Sequence, residues 1–121
     1  MTIQKILICD DSQTDLVNLK NALKNIQCVL LTANDGAEAI KKAKSEKPDV
    51  IFLDIVMPGI DGYAACRSLR EDPETKSIPV IFVSSKHQKA DRVWAQMQGA
   101  KSLIAKPYEA SEITAVLSSL G

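Results

Sequence analysis

Five short, unbroken apolar runs recur along the chain: Ile6-Leu7-Ile8-Cys9, Cys28-Val29-Leu30-Leu31, Val50-Ile51-Phe52-Leu53, Val80-Ile81-Phe82-Val83 and Leu103-Ile104-Ala105. A strand with one wet face alternates apolar and polar residues, whereas a continuous run fits a strand covered on both faces. The segments between the runs have a helical period instead. Leu16, Leu19, Leu23 and Ile26 share one helical face near the start, and Ile113, Val116, Leu117 and Leu120 share one at the end. Ser12, Asn34 and Asp61 are candidate N-caps, and Gly99 suits the end of the fourth helix. On that helix Ala90, Val93, Trp94 and Met97 form one apolar stripe, which predicts core or half-buried packing for Trp94. His87, Gln88 and Lys89 read as its solvated start. Repeated strand–helix units predict an α/β fold, with a parallel sheet, helices on both faces and right-handed crossovers.

A length of 121 residues suits a single domain, taken as 1–121, with a core large enough to need no metal or disulfide staple. Hydrophobic residues make up 45% of the chain but aromatic ones only 4%, so that core must be aliphatic. Lys+Arg and Asp+Glu number 15 each, which leaves no basic excess for nucleic-acid binding. No apolar run approaches the roughly 20 residues of a membrane span. The start, MTIQKILICDDS, meets two acids too soon for a signal peptide. A cytoplasmic location is therefore expected, with Cys9, Cys28 and Cys66 as reduced thiols. None of them has metal-ligand spacing, and the lone histidine, His87, has no partner for zinc or Cys–His chemistry.

In an open α/β sheet, ligands bind beyond the carboxyl ends of the strands. The polar residues at those positions are Asp10 and Asp11 after the first run, Asp54 after the third, Ser84 and Ser85 after the fourth, and Lys106 after the fifth. Taken singly, each has an ordinary explanation: an acid pair caps a helix, an Asp before Pro-Gly makes a turn, a lysine is solvated. Together they place three acids, a hydroxyl and an amine along one sheet edge. Clustered carboxylates repel, and either proton uptake or a hard divalent cation relieves them. Mg²⁺ prefers oxygen ligands and keeps several waters, so a few carboxylates suffice. Aspartate is a known phosphoryl acceptor, and Lys106 and Ser84 supply donors for the transferred oxygens.

The segments ILICDDS, DVIFLDIVMPGIDG, IPVIFVSSK and GAKSLIAKPY resemble the receiver domain of two-component response regulators over essentially the whole chain. The resemblance implies a flavodoxin-like (βα)₅ domain with a doubly wound five-stranded parallel sheet of order 2-1-3-4-5. It implies that Asp54 accepts a phosphoryl group from a histidine kinase. Mg²⁺ would be held by Asp10, Asp11, the Asp54 side chain and the backbone carbonyl of Val56. Ser84 would bond a phosphoryl oxygen, Lys106 would pair with its charge, and the Lys106–Pro107 bond would be cis. Gly59 and Gly62 would form the tight loop after the acceptor. Two positions depart from the family: its switch hydroxyl is often threonine, and the aromatic usually found three residues before the lysine is Leu103 here.

The chain stops where its last helix stops, so the expectation is a receiver without an output domain, monomeric when unphosphorylated. Such a protein signals through phosphorylation-dependent binding to another protein, or drains phosphate from a shared kinase. It is not an enzyme beyond its own phosphoryl transfer and dephosphorylation. The segment DRVWAQMQGAKSLIAKP is similar to stand-alone receivers of the chemosensory systems that control type IV pilus twitching. Competing classes fit less well. An aspartyl-nucleophile phosphatase of the haloacid dehalogenase type needs a second acid where Val56 stands. A Rossmann-type nucleotide binder wants a Gly-rich first turn, and this one reads Asp10-Asp11-Ser12. A degenerate receiver would lack Asp54, Lys106 or one of the paired acids.

Overall fold

Residues 3–120 are described by a computed structural model. Its elements follow the strand–helix alternation: β1 (Lys5–Cys9), α1 (Gln13–Ala22), β2 (Val29–Ala33), α2 (Gly36–Glu46), β3 (Val50–Leu53), α3 (Gly62–Glu71), β4 (Val80–Ser84), α4 (Lys89–Met97), β5 (Ser102–Ala105) and α5 (Ala110–Leu120). The strands form one parallel sheet in the order β2-β1-β3-β4-β5. This is the doubly wound, flavodoxin-like arrangement that the resemblance implies.

Side chains alternate across a strand, so each central run feeds two cores at once. Leu7, Cys9, Ile51, Leu53, Val80 and Phe82 point to one face, where Ala39, Ala43, Ala65, Cys66, Leu69 and Ala95 of α2, α3 and α4 cover them. Ile6, Ile8, Val50, Phe52, Ile81 and Val83 point to the other, under Leu16, Leu19, Ile113 and Leu117 of α1 and α5. The continuous runs of β1, β3 and β4 therefore read correctly as strands covered on both faces. The run of the edge strand β2 does not: Val29 is 55% exposed, and Leu30 and Leu31 are half-buried, whereas on the other edge Leu103 and Ile104 of β5 are buried in opposite layers.

Local chemistry sets the helix ends. Ser12 Oγ accepts from the Asp15 N–H at 3.3 Å, and Asp61 Oδ1 from the Ala64 N–H at 2.8 Å, as N-caps do. For α2 the cap is Asp35 rather than the expected Asn34. Asp35 Oδ1 accepts from Glu38 N at 2.8 Å, and Glu38 Oε1 reaches back to accept from Asn34 N at 2.6 Å. The Asn34 side chain instead accepts from Gln13 Nε2. Gly99 ends α4 with φ +91°, the left-handed conformation that glycine adopts without steric cost. Helix α1 is a turn shorter than its apolar spacing suggests: Leu23 and Ile26 lie beyond Ala22 yet still pack on the second core.

Helix α4 departs most from expectation. Its one buried residue is Ala95, while Val93, Trp94 and Met97 are 50%, 44% and 67% exposed. The face turned to the sheet carries Ala95, and the neighbouring Arg92 reaches β5, donating to the Leu103 carbonyl at 3.0 Å. The stripe is thereby turned outward, and the Trp94 and Tyr63 rings stand nearly perpendicular, 6.2 Å between centroids. The start of α4 is solvated as expected: His87, Gln88 and Lys89 are exposed, and the Gln88 N–H donates to Asp91 Oδ2 at 3.1 Å.

Candidate functional site

Register between parallel strands brings the polar residues together. Cys9 pairs with Leu53, so Asp10 and Asp54 emerge side by side where β1 and β3 end. Both backbones are held at that point: Asp54 N donates to the Cys9 carbonyl at 3.0 Å and Asp10 N to the Ala33 carbonyl at 3.2 Å. Ser84 pairs with Ala105, and the Lys106 N–H donates to the Ser84 carbonyl at 2.9 Å, which places the lysine just beyond β5. The Lys106–Pro107 peptide is cis. After Asp54, the chain turns back with Gly62 N donating to the Ile55 carbonyl at 2.8 Å. A Cβ on Gly62 would stand 2.2 Å from the Asp54 carbonyl oxygen, so only glycine lets α3 start this close to the acid.

Asp10 is 1% exposed and Asp54 is 8%, whereas Asp11 is open to solvent. Carboxylate oxygens of all three lie within 4.8 Å of one another. Buried anions of like charge need a counter-charge, and Lys106 supplies one. Its Nζ lies 2.7 Å from Asp10 Oδ2, 2.9 Å from Asp15 Oδ2 and 3.6 Å from Asp54 Oδ1. Burial pulls this ammonium toward neutrality, but its hydrogen bonds to Asp10 and Asp15 outweigh that and hold its pKa above the ordinary lysine value. Burial pushes Asp54 up to about 6, aided by the charges of Asp10 and Asp11 and opposed by Lys106 and the Ile55 N–H, 2.9 Å from Oδ1. A carboxylate shifted in this way, in a cluster of acids at the end of a parallel strand, marks a functional site. Cys9, just before Asp10, has its thiol raised by burial and by the charges of Asp10, Asp35, Glu38 and Asp54, so it stays protonated.

Ser84 is fully buried, and its Oγ accepts from the Lys86 N–H at 3.0 Å. Among the described residues its own proton meets no acceptor, so it is available to donate. Val56 sits two residues past Asp54 with its side chain exposed. Leu103 is 7% exposed and packs in the layer shared by Phe82 and Ala95, away from the acids. The sequence residues thus fall at adjacent strand ends, with Leu103 outside the cluster.

Asp15 was absent from the sequence reading. An acid in the first turn of a helix reads as a partner for the macrodipole. The overlooked signal is that this turn follows β1 directly, so a carboxylate there lies over the sheet edge. Tyr108 was also passed over; it is half-buried beside Lys106 and Asp15 along a cavity of about 530 Å³, and burial pushes its phenol up to about 12.

The model of the response regulator receiver domain matches residues 6–118. The chain belongs to that family. It is 44% identical over 105 residues to Protein PilH of Pseudomonas aeruginosa, covering 87% of each chain. To Protein PilG of the same organism it is 35% identical over 109 residues, covering 90% of this chain and 81% of the other. Among solved structures, the receiver domain of sensor histidine kinase PA1611 from Pseudomonas aeruginosa superposes with a TM-score of 0.89, covering 98% of both chains at 24% identity. That structure holds a magnesium ion coordinated in its active-site cleft. The receiver is thus a signalling module of two-component systems, and no helix among its described residues is long and apolar enough to cross a membrane.

Proposed function

We propose that this receiver is a single-domain response regulator, residues 1–121, phosphorylated on Asp54 by a histidine kinase with Mg²⁺. The observation that carries this reading is the arrangement of three mutually close carboxylates with one ammonium 3.6 Å from Asp54. Asp54 is the acid of the cluster flanked by both Lys106 and the α3 turn. Asp10, Asp11 and Asp54 offer hard oxygen donors to Mg²⁺, the Val56 carbonyl would be a fourth, and waters would complete the octahedron this ion prefers. Bound there, the cation would offset the repulsion of the acids and neutralise charge on the transferring oxygens.

The remaining chemistry belongs to the chain. Asp54 Oδ forms a bond to phosphorus as the bond from phosphorus to the donor histidine nitrogen breaks and the imidazole leaves with the electron pair. Lys106 meets the added charge from the β5 side. Ser84, whose hydroxyl proton is free, donates to a phosphoryl oxygen from β4. The protein would then act by phosphorylation-dependent binding to a downstream protein, as a cytoplasmic monomer in a chemosensory pathway of the pilus-motility type. Likeness to PilH and PilG supports the pathway. The test is intact-mass labelling with acetyl phosphate. Wild type should gain one acid-labile phosphate with Mg²⁺ and none with EDTA, and Asp54→Asn should gain none. Full labelling of that variant would overturn the assignment.

A further inference from the structure

Lys106 has two acidic partners at contact distance, and they are not equivalent. Asp10 is one of the three clustered carboxylates, so a cation bound there draws on the same side chain that holds Lys106 at 2.7 Å. A carboxylate shared between a divalent cation and an ammonium serves each less well. Asp15 lies outside that cluster, 2.9 Å from Lys106 Nζ. It is carried on the first turn of α1, where the Ser12 hydroxyl holds its backbone N–H at 3.3 Å. An ammonium has three donors and no acceptor. With Asp10 and Asp15 taking two of them, one is left for Asp54, whose Oδ1 is 3.6 Å away.

We infer that Asp15 is a positioning residue for the phosphorylation reaction: it keeps the Lys106 ammonium over Asp54 when the cation claims Asp10. This inference rests on the reading of Asp54 as acceptor. Asp15 touches neither phosphate nor cation and acts only through Lys106. Its side chain is 35% exposed, so solvent screens the pair and the effect on rate is modest.

The test is a double-mutant cycle on the labelling rate with acetyl phosphate and saturating Mg²⁺. Asp15→Asn should slow labelling about two- to five-fold, and Asp15→Glu should restore most of that loss. In a Lys106→Met background, Asp15→Asn should change nothing further, because the group it positions is gone. Where that background labels too slowly to time, affinity for beryllofluoride, read from the bound ¹⁹F signal, closes the same cycle. Equal slowing in both backgrounds would assign Asp15 a merely structural role and overturn the inference. So would an Asp15→Asn protein that labels as fast as wild type, or faster. Failure of the parent reading looks different: wild type itself would then carry no phosphate on Asp54.

Discussion

Helices α3 and α4 pack on the same side of the sheet, in the layer that holds Phe82, yet they are attached in opposite ways. Helix α3 buries Gly62, Ala65, Cys66 and Leu69, and its first residue lies against the Asp54 backbone. Helix α4 buries only Ala95, and the loop before it is tied to β4 by the bond from Lys86 N to Ser84 Oγ. An element with little buried apolar surface is displaced at low cost, and one packed tightly against its neighbour is not. The chemistry we propose at Asp54 therefore lies on the rigid side of this layer. The response we expect lies on the other: Ser84, drawn toward a phosphoryl oxygen, loosens Lys86 and with it the start of α4. Leu103 packs in the layer of Phe82 and Ala95 and lacks the polar tip of a ring such as tyrosine, so it should move little.

The largest expected effects separate the two helices by stability. Gly62→Ala should cost about 3–5 kcal/mol, because its Cβ would collide with backbone rather than with a side chain that can swing away. Leu69→Ala on the same helix should cost about 2–5 kcal/mol through the cavity it leaves. On α4, Val93→Ala or Met97→Ala should stay within about 0.5 kcal/mol, as exposed substitutions do. Urea titrations of the variants check this, and a multi-kcal loss at Met97 would erase the distinction.

A smaller effect concerns the charge at the site. The folded protein holds Asp54 near 6, above the ordinary carboxylate value of 3.8, so it favours the protonated acid. In metal-free protein this group's contribution to stability is full below about pH 4 and is lost as pH rises to about 6, by an amount on the order of 1–3 kcal/mol. Asp54→Asn should flatten that window and stabilise the metal-free protein at pH 7, and Mg²⁺ should stabilise wild type but not the variant. Thermal melts in EDTA and in Mg²⁺ measure both. A less stable Asp54→Asn protein would show that the ionised acid is favoured in the fold.

The smallest effect is spectroscopic. Beryllofluoride with Mg²⁺ should shift the indole signal of Trp94, the chain's one tryptophan, more than the Leu103 methyls. Ser84→Ala should blunt the change. Large Leu103 shifts beside an unmoved Trp94 would route the response through β5 instead.

How much of this was legible beforehand follows from what periodicity reports. Apolar runs and helical spacing mark which residues share a face, so β1, β3, β4 and both layers of the core followed from the residues; the strand order came from the family resemblance. Periodicity does not report whether anything covers that face. The α4 stripe of Val93, Trp94 and Met97 has the spacing of a core and the exposure of a surface. At the start of α2, Asn34 and Asp35 have equal capping chemistry, and only Glu38, three residues beyond Asp35, tells them apart in sequence. At the site, Asp10, Asp11, Asp54, Ser84 and Lys106 were visible because strand ends converge. Asp15 was not, because its role depends on where the Lys106 side chain lies.

The most direct measurement of the central claim is chemical mapping of the phosphate. After labelling with Mg²⁺ and acetyl phosphate, borohydride reduction converts an aspartyl phosphate to homoserine, which tandem mass spectrometry then places in the chain. The account requires conversion at position 54 and at neither Asp10 nor Asp11. Conversion at either of those, with residue 54 intact, would contradict it.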